Sequence, residues 1–539
     1  TWGFAAFMLA IDGVPRSIIL INWVISILAI SGLRIIAHKL LNKNFTSTIL
    51  SKNNSKKVLI YGAGSAGVQL VSALEISKEY HPVGFIDDSK DLQGNQVRGL
   101  HVYSIDKLDA IINKKYVDEI LIAIPSTSRA KRIEILNILE PFPVLVRILP
   151  GVSELALGKV SINDLREVDI KDLLGRNEVK PNKNLLGKNI NNKSVVVTGA
   201  GGSIGSELCR QIFLLKPKKL ILFEINELAL YNIEKELSNL SDKSLKIYPI
   251  LGNVNNKKRL IDLFKLFEVD TIYHTAAYKH VPMVEFNINE GVENNVFGTL
   301  NCAESAIEAG VKNFVLISTD KAVRPANFMG ATKRCAELVL QALSARQYNT
   351  NFSMVRFGNV LGSSGSVIPL FQKQIKQGGP LTVTDENIIR YFMTIDEAVR
   401  LVIQAGAMSK GGDVFVLDMG KPVRIIDLAK KMIKLSGLEV KDDLQPNGDI
   451  EIMYTGLRPG EKLFEELLIG DNVSDTDNPF IMRAKEKMLT WADLKINLDN
   501  LQRAINNSDH EKLLELLIKI VPEFKPEGKI NDIMYLENL

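Results

Sequence analysis

The sequence predicts an α/β protein: two doubly wound, Rossmann-like parallel-sheet domains following an apolar N-terminal helix. Three observations predict it. Two apolar runs each lead into a glycine turn that opens a helix: Lys57–Tyr61 into Gly62-Ala-Gly64-Ser-Ala-Gly67, and Val195–Thr198 into Gly199-Ala-Gly-Gly202-Ser-Ile-Gly205. Each helix is followed by a second apolar run ending on an acid, Asp87-Asp88 in the first case and Glu224 in the second. The 539 residues are 46% apolar and 24% charged, the balance of a folded chain too long for one ordinary domain.

The formal net charge of +4 is small for this length. No Lys/Arg block is interleaved with aromatics, so nucleic acid is not an expected partner. Cys209, Cys302 and Cys335 lack metal or redox spacing and fit a reducing compartment as small apolar side chains. No metal is expected.

Residues 1–44 read as a membrane remnant and anchor. The chain opens on Thr1, and Thr1–Ile11 reads as the tail of an earlier span. Ser17–Leu33 is uncharged and rich in Ile, Leu and Val, the short end of a bilayer span; a buried soluble helix is the other reading. Arg34, Lys39 and Lys43 follow it, which places the rest of the chain on the cytoplasmic side of the inner membrane. Phe45–Lys57 is a polar linker.

Residues 57–151 form the first Rossmann-like domain, with further strands at Val83–Ile86, Glu119–Ile124 and Val144–Leu149. It either binds a nucleotide or is a worn copy whose glycines only allow tight packing. Residues 152–192, with Asp172–Arg176 inside, are an irregular connector.

Residues 193–539 carry the second fold and a C-terminal substrate lobe. Gly199 permits the sharp turn, Gly202 lets backbone amides approach a pyrophosphate, and Gly205 lets the helix pack on the strand. The pyrophosphate rests on the helix start at Ser203 and Ile204. Glu224 closes the strand Leu220–Phe223, where a carboxylate accepts from ribose hydroxyls and repels a 2′-phosphate, favouring NAD over NADP. The next strand, Asp270–Thr275, ends in Ala276-Ala277 beside the cofactor. The apolar run Phe314–Ile317 then delivers Thr319, Asp320 and Lys321 to a strand's carboxyl end, before a helix from about Gly330 to Arg346. Met329 and Lys333 are four apart and share a face of its first turn. A hydroxyl, a carboxylate and two amines at one sheet edge make a proton-transfer kit. Further on, Phe352–Phe357 and Asp413–Leu417 read as strands, Val423–Ser436 as a helix, and Asp499–Ile520 has amphipathic helical spacing.

The glycine turn, the run Ala276-Ala277-Tyr278-Lys279-His280-Val281-Pro282, the stretch Ser318–Lys333, Arg356–Val367 and Thr455–Lys462 together resemble the extended short-chain dehydrogenase/reductase superfamily. More closely they resemble its membrane-anchored UDP-N-acetylglucosamine 4,6-dehydratases. That resemblance implies an internal redox cycle: NAD takes a hydride from sugar carbon 4, water is eliminated across carbons 5 and 6, and the hydride returns to carbon 6. It implies Asp320 as the acid for the leaving hydroxyl and Lys321 as the base at carbon 5; a phosphate or sugar contact is the other reading of Lys321. As a base, Lys321 needs a pKa depressed by Lys333 and by burial. Lys333 matches the superfamily lysine and holds the nicotinamide ribose. Met329 stands where the superfamily has its tyrosine base, and a thioether takes no proton, so Thr319, Asp320 or a relayed water must help. Lys279 and Asn295 are implied near the substrate; a helix-end cap is the alternative for Asn295. Asn359 and Ser366, in a Gly/Ser-rich loop, suit the diphosphate. Arg390 and Arg458 suit its oxygens, or are surface ion pairs, and Glu461 a uridine ribose hydroxyl. His280 receives no catalytic role. A UDP-sugar is the expected partner, with self-association into a homo-oligomer. The alternatives are a UDP-sugar 4-epimerase on the same fold, or a non-catalytic nucleotide-sugar-binding regulator.

Overall fold

The computed structural model describes residues 16–41, 55–77, 79–150, 165–168, 181–240, 245–347, 349–466, 473–526 and 528–538. Thr1–Ile11, most of the linker and Asp172–Arg176 lie outside them. The chain divides into two compact units, 1–126 with 146–167, and 127–145 with 168–539.

In the first unit, helix α1 (Arg16–Leu41) runs for 26 residues. Ile21, Trp23, Leu28 and Leu33 are each more than half exposed on it. Among the described residues no helix is long and apolar enough to cross a membrane. Side chains of α1 are described only from 21 to 34, shorter than the roughly 20 residues a span needs.

The first sheet comprises β1 (Lys56–Tyr61), β2 (Tyr80–Ile86), β3 (Gln96–Val97), β4 (Leu100–Tyr103), β5 (Glu119–Ile122), β6 (Leu145–Ile148) and β7 (Arg166–Glu167). Their order is β3-β4-β2-β1-β5-β6-β7. Val58–Tyr61 are buried without alternation, as a central parallel strand requires. The glycine turn leads into α2 (Ser65–Ile76), and the Ala63 amide donates to Asp87 Oδ2 at 2.7 Å. Two boundaries differ from expectation. The sheet gains β7 from beyond residue 151, and 127–145 groups with the second unit.

The second unit is built on β8 (Ser194–Thr198), β9 (Lys219–Glu224), β10 (Lys246–Leu251), β11 (Thr271–His274), β12 (Asn313–Ile317), β13 (Asn351–Arg356), β14 (Asp413–Leu417), β15 (Val473–Ser474) and β16 (Ile481–Ala484). The order is β10-β9-β8-β11-β12-β13-β14-β16-β15. It is parallel from β10 to β14 and antiparallel at the last two. Strand order reverses between β8 and β11, and a ligand crevice opens outside the carboxyl ends at that point. Alternate residues feed two cores: Val196, Ile221 and Ile272 on one face, Val197, Leu222 and Tyr273 on the other.

The site-bearing helices of this unit are α3 (Ser203–Leu214), α4 (Glu227–Leu240), α5 (Gly298–Ala309), α6 (Phe328–Arg346) and α7 (Val367–Lys376). Helix α6 starts two residues earlier than the sequence suggests, because Asn327 caps it through the Gly330 amide at 2.7 Å. The stretch Asp499–Ile520 falls on two helices, α8 (Trp491–Asn506) and α9 (His510–Ile520). Ser508 turns left-handed at φ 53° and Asp509 caps the second helix through the Lys512 amide, which breaks the run.

Candidate active site

The second glycine turn is built for close approach. Gly199 has φ 67°, and a Cβ there would lie 2.8 Å from the Ala276 nitrogen. A Cβ on Gly205 would collide with the Gly199 carbonyl, and one on Gly201 with Ala229. Gly202 caps α3 without a side chain, leaving the helix N-terminus to a ligand. The turn opens onto a cavity of about 1050 Å³, lined also by Ser203, Ile204, Glu224, Ala276 and Ala277. Glu224 is buried at the tip of β9, its Oε2 accepting from the Gly201 amide and Oε1 from the Ile225 and Asn226 amides, each at 2.9 Å. Those amides hold the carboxylate still, and each oxygen has lone-pair capacity beyond them for a ribose hydroxyl. The cradle that a Cβ would fill and the fixed acid at the neighbouring strand fit NAD.

The proton-handling residues meet at the ends of β12 and α6. Thr319 donates to Asp320 Oδ1 at 2.9 Å, and its own oxygen caps the turn through the Lys321 amide at 3.3 Å. The Lys321 ammonium contacts Asp320 Oδ1 at 3.1 Å and Glu465 Oε1 at 3.5 Å. Thr319, Lys321, Met329 and Lys333 all line the cavity. Asp320 does not: it is 1% exposed, and its Oδ2, without a hydrogen-bond partner, lies beneath Gly358.

The two amines differ in sign. Burial lowers the pKa of Lys321, but Asp320 and Glu465 outweigh it, and the net shift is upward. The expected depression of Lys321 is therefore corrected, and the reason is the pair of carboxylates on it, Asp320 first and Glu465 with it. Lys333 is the depressed amine, pushed down to about 8 by burial and only partly countered by Glu337. It donates to the Ile317 carbonyl at 2.7 Å. Nearby His274 is driven down to about 3 by burial and by Lys333, and is held between Thr198 and Thr299.

Lys279, Asn359, Ser366, Arg390, Arg458 and Glu461 line the same cavity. Burial lowers the Lys279 pKa. Ser366 stands at the N-cap position of α7 without bonding its amides, and among the described residues its buried hydroxyl has no hydrogen-bond partner, which suits it to a phosphate oxygen. Arg390 is 9% exposed, with Nη1 on the Ile389 and Leu463 carbonyls and Nη2 on Glu461 Oε1 at 3.2 Å. Glu461 also accepts from the Arg458 amide at 3.3 Å. Its carboxylate thus orients the Arg390 guanidinium and holds the Arg458 backbone, while it still lines the cavity where a ribose contact is expected.

Asn295 is corrected outright. It is fully buried in a π-helical turn, Glu293–Phe297, and does not line the cavity. Its amide brackets Tyr278, accepting from that residue's N–H at 2.8 Å and donating to its carbonyl at 3.0 Å, with a third bond to Thr332. It shapes the loop that presents Lys279. Sequence reasoning missed Gly201, Asn327 and Glu465; the Gly-Gly step and the acid run Glu461–Glu466 were the available signals.

Residues 195–486 match the family described as polysaccharide biosynthesis protein, and 1–150 match a CoA-binding domain family. Capsular polysaccharide biosynthesis protein CapD of Staphylococcus aureus is 42% identical over 505 residues, 92% of this chain and 81% of that protein. A UDP-N-acetylglucosamine 4,6-dehydratase (inverting) of Campylobacter jejuni is 33% identical over 52% of this chain and 79% of its own. A UDP-glucose 4-epimerase of Rickettsia akari is 33% identical over 53% and 80%. The matched residues 195–486 contain the glycine turn, the Thr319-Asp320-Lys321 cluster and Lys333, so the site just described lies wholly within the shared region, and the chain belongs to the polysaccharide biosynthesis protein family.

Proposed function

We propose that this protein is an NAD-dependent 4,6-dehydratase of UDP-N-acetylglucosamine, making a UDP-4-keto-6-deoxy amino sugar for bacterial polysaccharide. The observation that carries the reading is the contiguous Thr319–Asp320–Lys321 cluster, facing Lys333 across a wall where Met329 replaces a phenol. NAD, when bound, supplies a hydride acceptor and donor, so no outside oxidant is required. Thr319 presents oxygen lone pairs to the cavity while its hydrogen is committed to Asp320, which suits it to take a sugar hydroxyl proton and relay its own inward. Lys321, held charged by Asp320 and Glu465, supplies a proton beside the carboxylate that gave it direction. That proton goes to the departing carbon-6 hydroxyl, and the neutral amine left behind takes the carbon-5 proton in return, so Lys321 ends the elimination charged as it began, with Asp320 as its counter-ion; Lys333 orients the nicotinamide ribose. Ser366, Lys279 and the arginines 390 and 458 would hold the diphosphate.

We carry membrane association as part of this reading on the uncharged run Ser17–Leu33 and on its exposed apolar side chains, Ile21, Trp23, Leu28 and Leu33 among them. The catalytic units would then face the cytoplasm, with self-association at the membrane. An epimerase is the second reading, favoured by Asp320 lying off the cavity wall. Mass spectrometry after incubation with UDP-N-acetylglucosamine decides. Loss of one water supports the dehydratase, unchanged mass with a new isomer the epimerase, and no change a binding protein. Within the first outcome, Asp320→Asn and Lys321→Ala should each abolish water loss with NAD still bound. Wild-type rates in either variant would refute the assignment.

A further inference from the structure

We infer that the C-terminal helical segment, residues 491–538, is a positioning element of the catalytic wall, with Asp532 as its central residue. The family match ends at 486, and no residue beyond Glu461 lines the cavity. Yet this segment grips both stretches that build the cavity's reacting side.

The first grip is on α6. Its residues from Phe328 to Leu343 are all buried, although only one face can meet the sheet. Leu494 and Leu498 of α8 and Leu513 and Leu517 of α9 share the core that holds Met329. After α9 the chain turns back to the start of α6. Phe524 packs edge-on against Phe328 with ring centroids 5.4 Å apart, and the Lys525 amide donates to the Pro325 carbonyl at 3.0 Å. Met329 and Lys333 follow within two turns.

The second grip is Asp532, 2% exposed. Its Oδ2 accepts from the buried Ile288 amide at 2.7 Å, and its Oδ1 accepts from the Met534 and Tyr535 amides and faces His510 Nε2 at 3.2 Å. Next to it the Ile533 amide donates to the Phe286 carbonyl at 3.1 Å. From Ile288 the chain runs straight to Asn295, which brackets Tyr278 beside Lys279. One carboxylate therefore joins the end of the chain to the loop that presents Lys279. Removing it strands a buried N–H and frees the path into the π-helical turn. Asp532 touches neither cavity nor cofactor turn, so its effect passes through the residues it holds.

The function half of this inference rests on the dehydratase reading; the structural half does not. In the full-length protein, Asp532→Ala should lower kcat about 10-fold or more while KM stays within about 3-fold, because misplacement of reacting groups acts on the chemical step. Hydrogen exchange should quicken about 10-fold in 286–295 and 325–334, with 199–226 and NAD content unchanged. Asp509→Ala, which removes the α9 cap without touching Ile288, is the control and should keep kcat within about 2-fold despite a lower Tm. Asp532→Asn, of the same volume, serves if the alanine variant does not fold, and should give an intermediate loss. Wild-type kcat and wild-type exchange in the Asp532 variants would overturn the inference. So would a kcat loss in Asp509→Ala equal to theirs. If the wild-type protein expels no water, the dehydratase reading fails, and the exchange measurement still decides whether Asp532 braces the wall.

Discussion

Lys333 and Lys321 share a cavity but carry opposite shifts, and each shift has a consequence in pH. The Lys333 ammonium is worth less inside the protein than in water, so its charge is lost near pH 8. A step that needs that charge slows as pH rises through about 8. The alkaline limb of kcat/KM should fall there, and Lys333→Arg should move the limb upward. Lys321 keeps its proton through the same window, held by Asp320 and Glu465; Glu465→Gln should therefore lower its pKa, read by NMR of the lysine side chain. Glu285 is a third case. It is 5% exposed, accepts from the Phe328 amide at 2.7 Å, and burial raises its pKa to about 7. The folded state binds the proton more tightly than the unfolded one, so this contribution to stability is full below the unfolded value of about 4.3 and is lost as pH rises to about 7. At about 1.36 kcal/mol per unit the swing reaches about 4 kcal/mol. Thermal melts from pH 5 to 8 should show the decline, and Glu285→Gln should flatten it.

At the scale of elements, two segments meet at one turn. Asn327 caps α6 and also donates to the Gly460 carbonyl at 2.8 Å, tying the helix start to the loop that carries Arg458 and Glu461. Gly460 has φ 72°, and a Cβ there would sit 2.6 Å from the Asn327 Cβ. Gly460→Ala should destabilise by about 1–3 kcal/mol and raise KM for the sugar nucleotide, while NAD binding is unchanged. Titration calorimetry with each ligand separates these effects. The strands were legible because parallel strands buried on both faces read as continuous apolar runs, as Val195–Thr198 does. The break between α8 and α9 was less so, because amphipathic spacing resumes after the Asn507–Asp509 turn and hides it. The cap at Asn327 was hidden in a loop whose polar residues looked equivalent.

At the scale of the molecule, the second unit holds its own sheet, both core layers and the whole cavity. A chain beginning at residue 181 should therefore fold and keep NAD, as absorbance and mass of the released cofactor will show. If the proposed anchoring holds, a chain lacking residues 1–44 should lose membrane association in a flotation assay while kcat is unaltered. By itself the sequence determined the two glycine turns and the acids at the following strand ends. These are set by local sterics and short periodicities, which act between neighbours in the chain. Only the tertiary structure decided which polar groups remain available for chemistry. It buried Asp320 under Gly358, turned Asn295 inward to Tyr278, committed Glu461 to Arg390, and brought Glu465 to Lys321. Such partners come from distant segments, and a charge or hydrogen bond satisfied across the fold leaves no mark in the sequence around either residue.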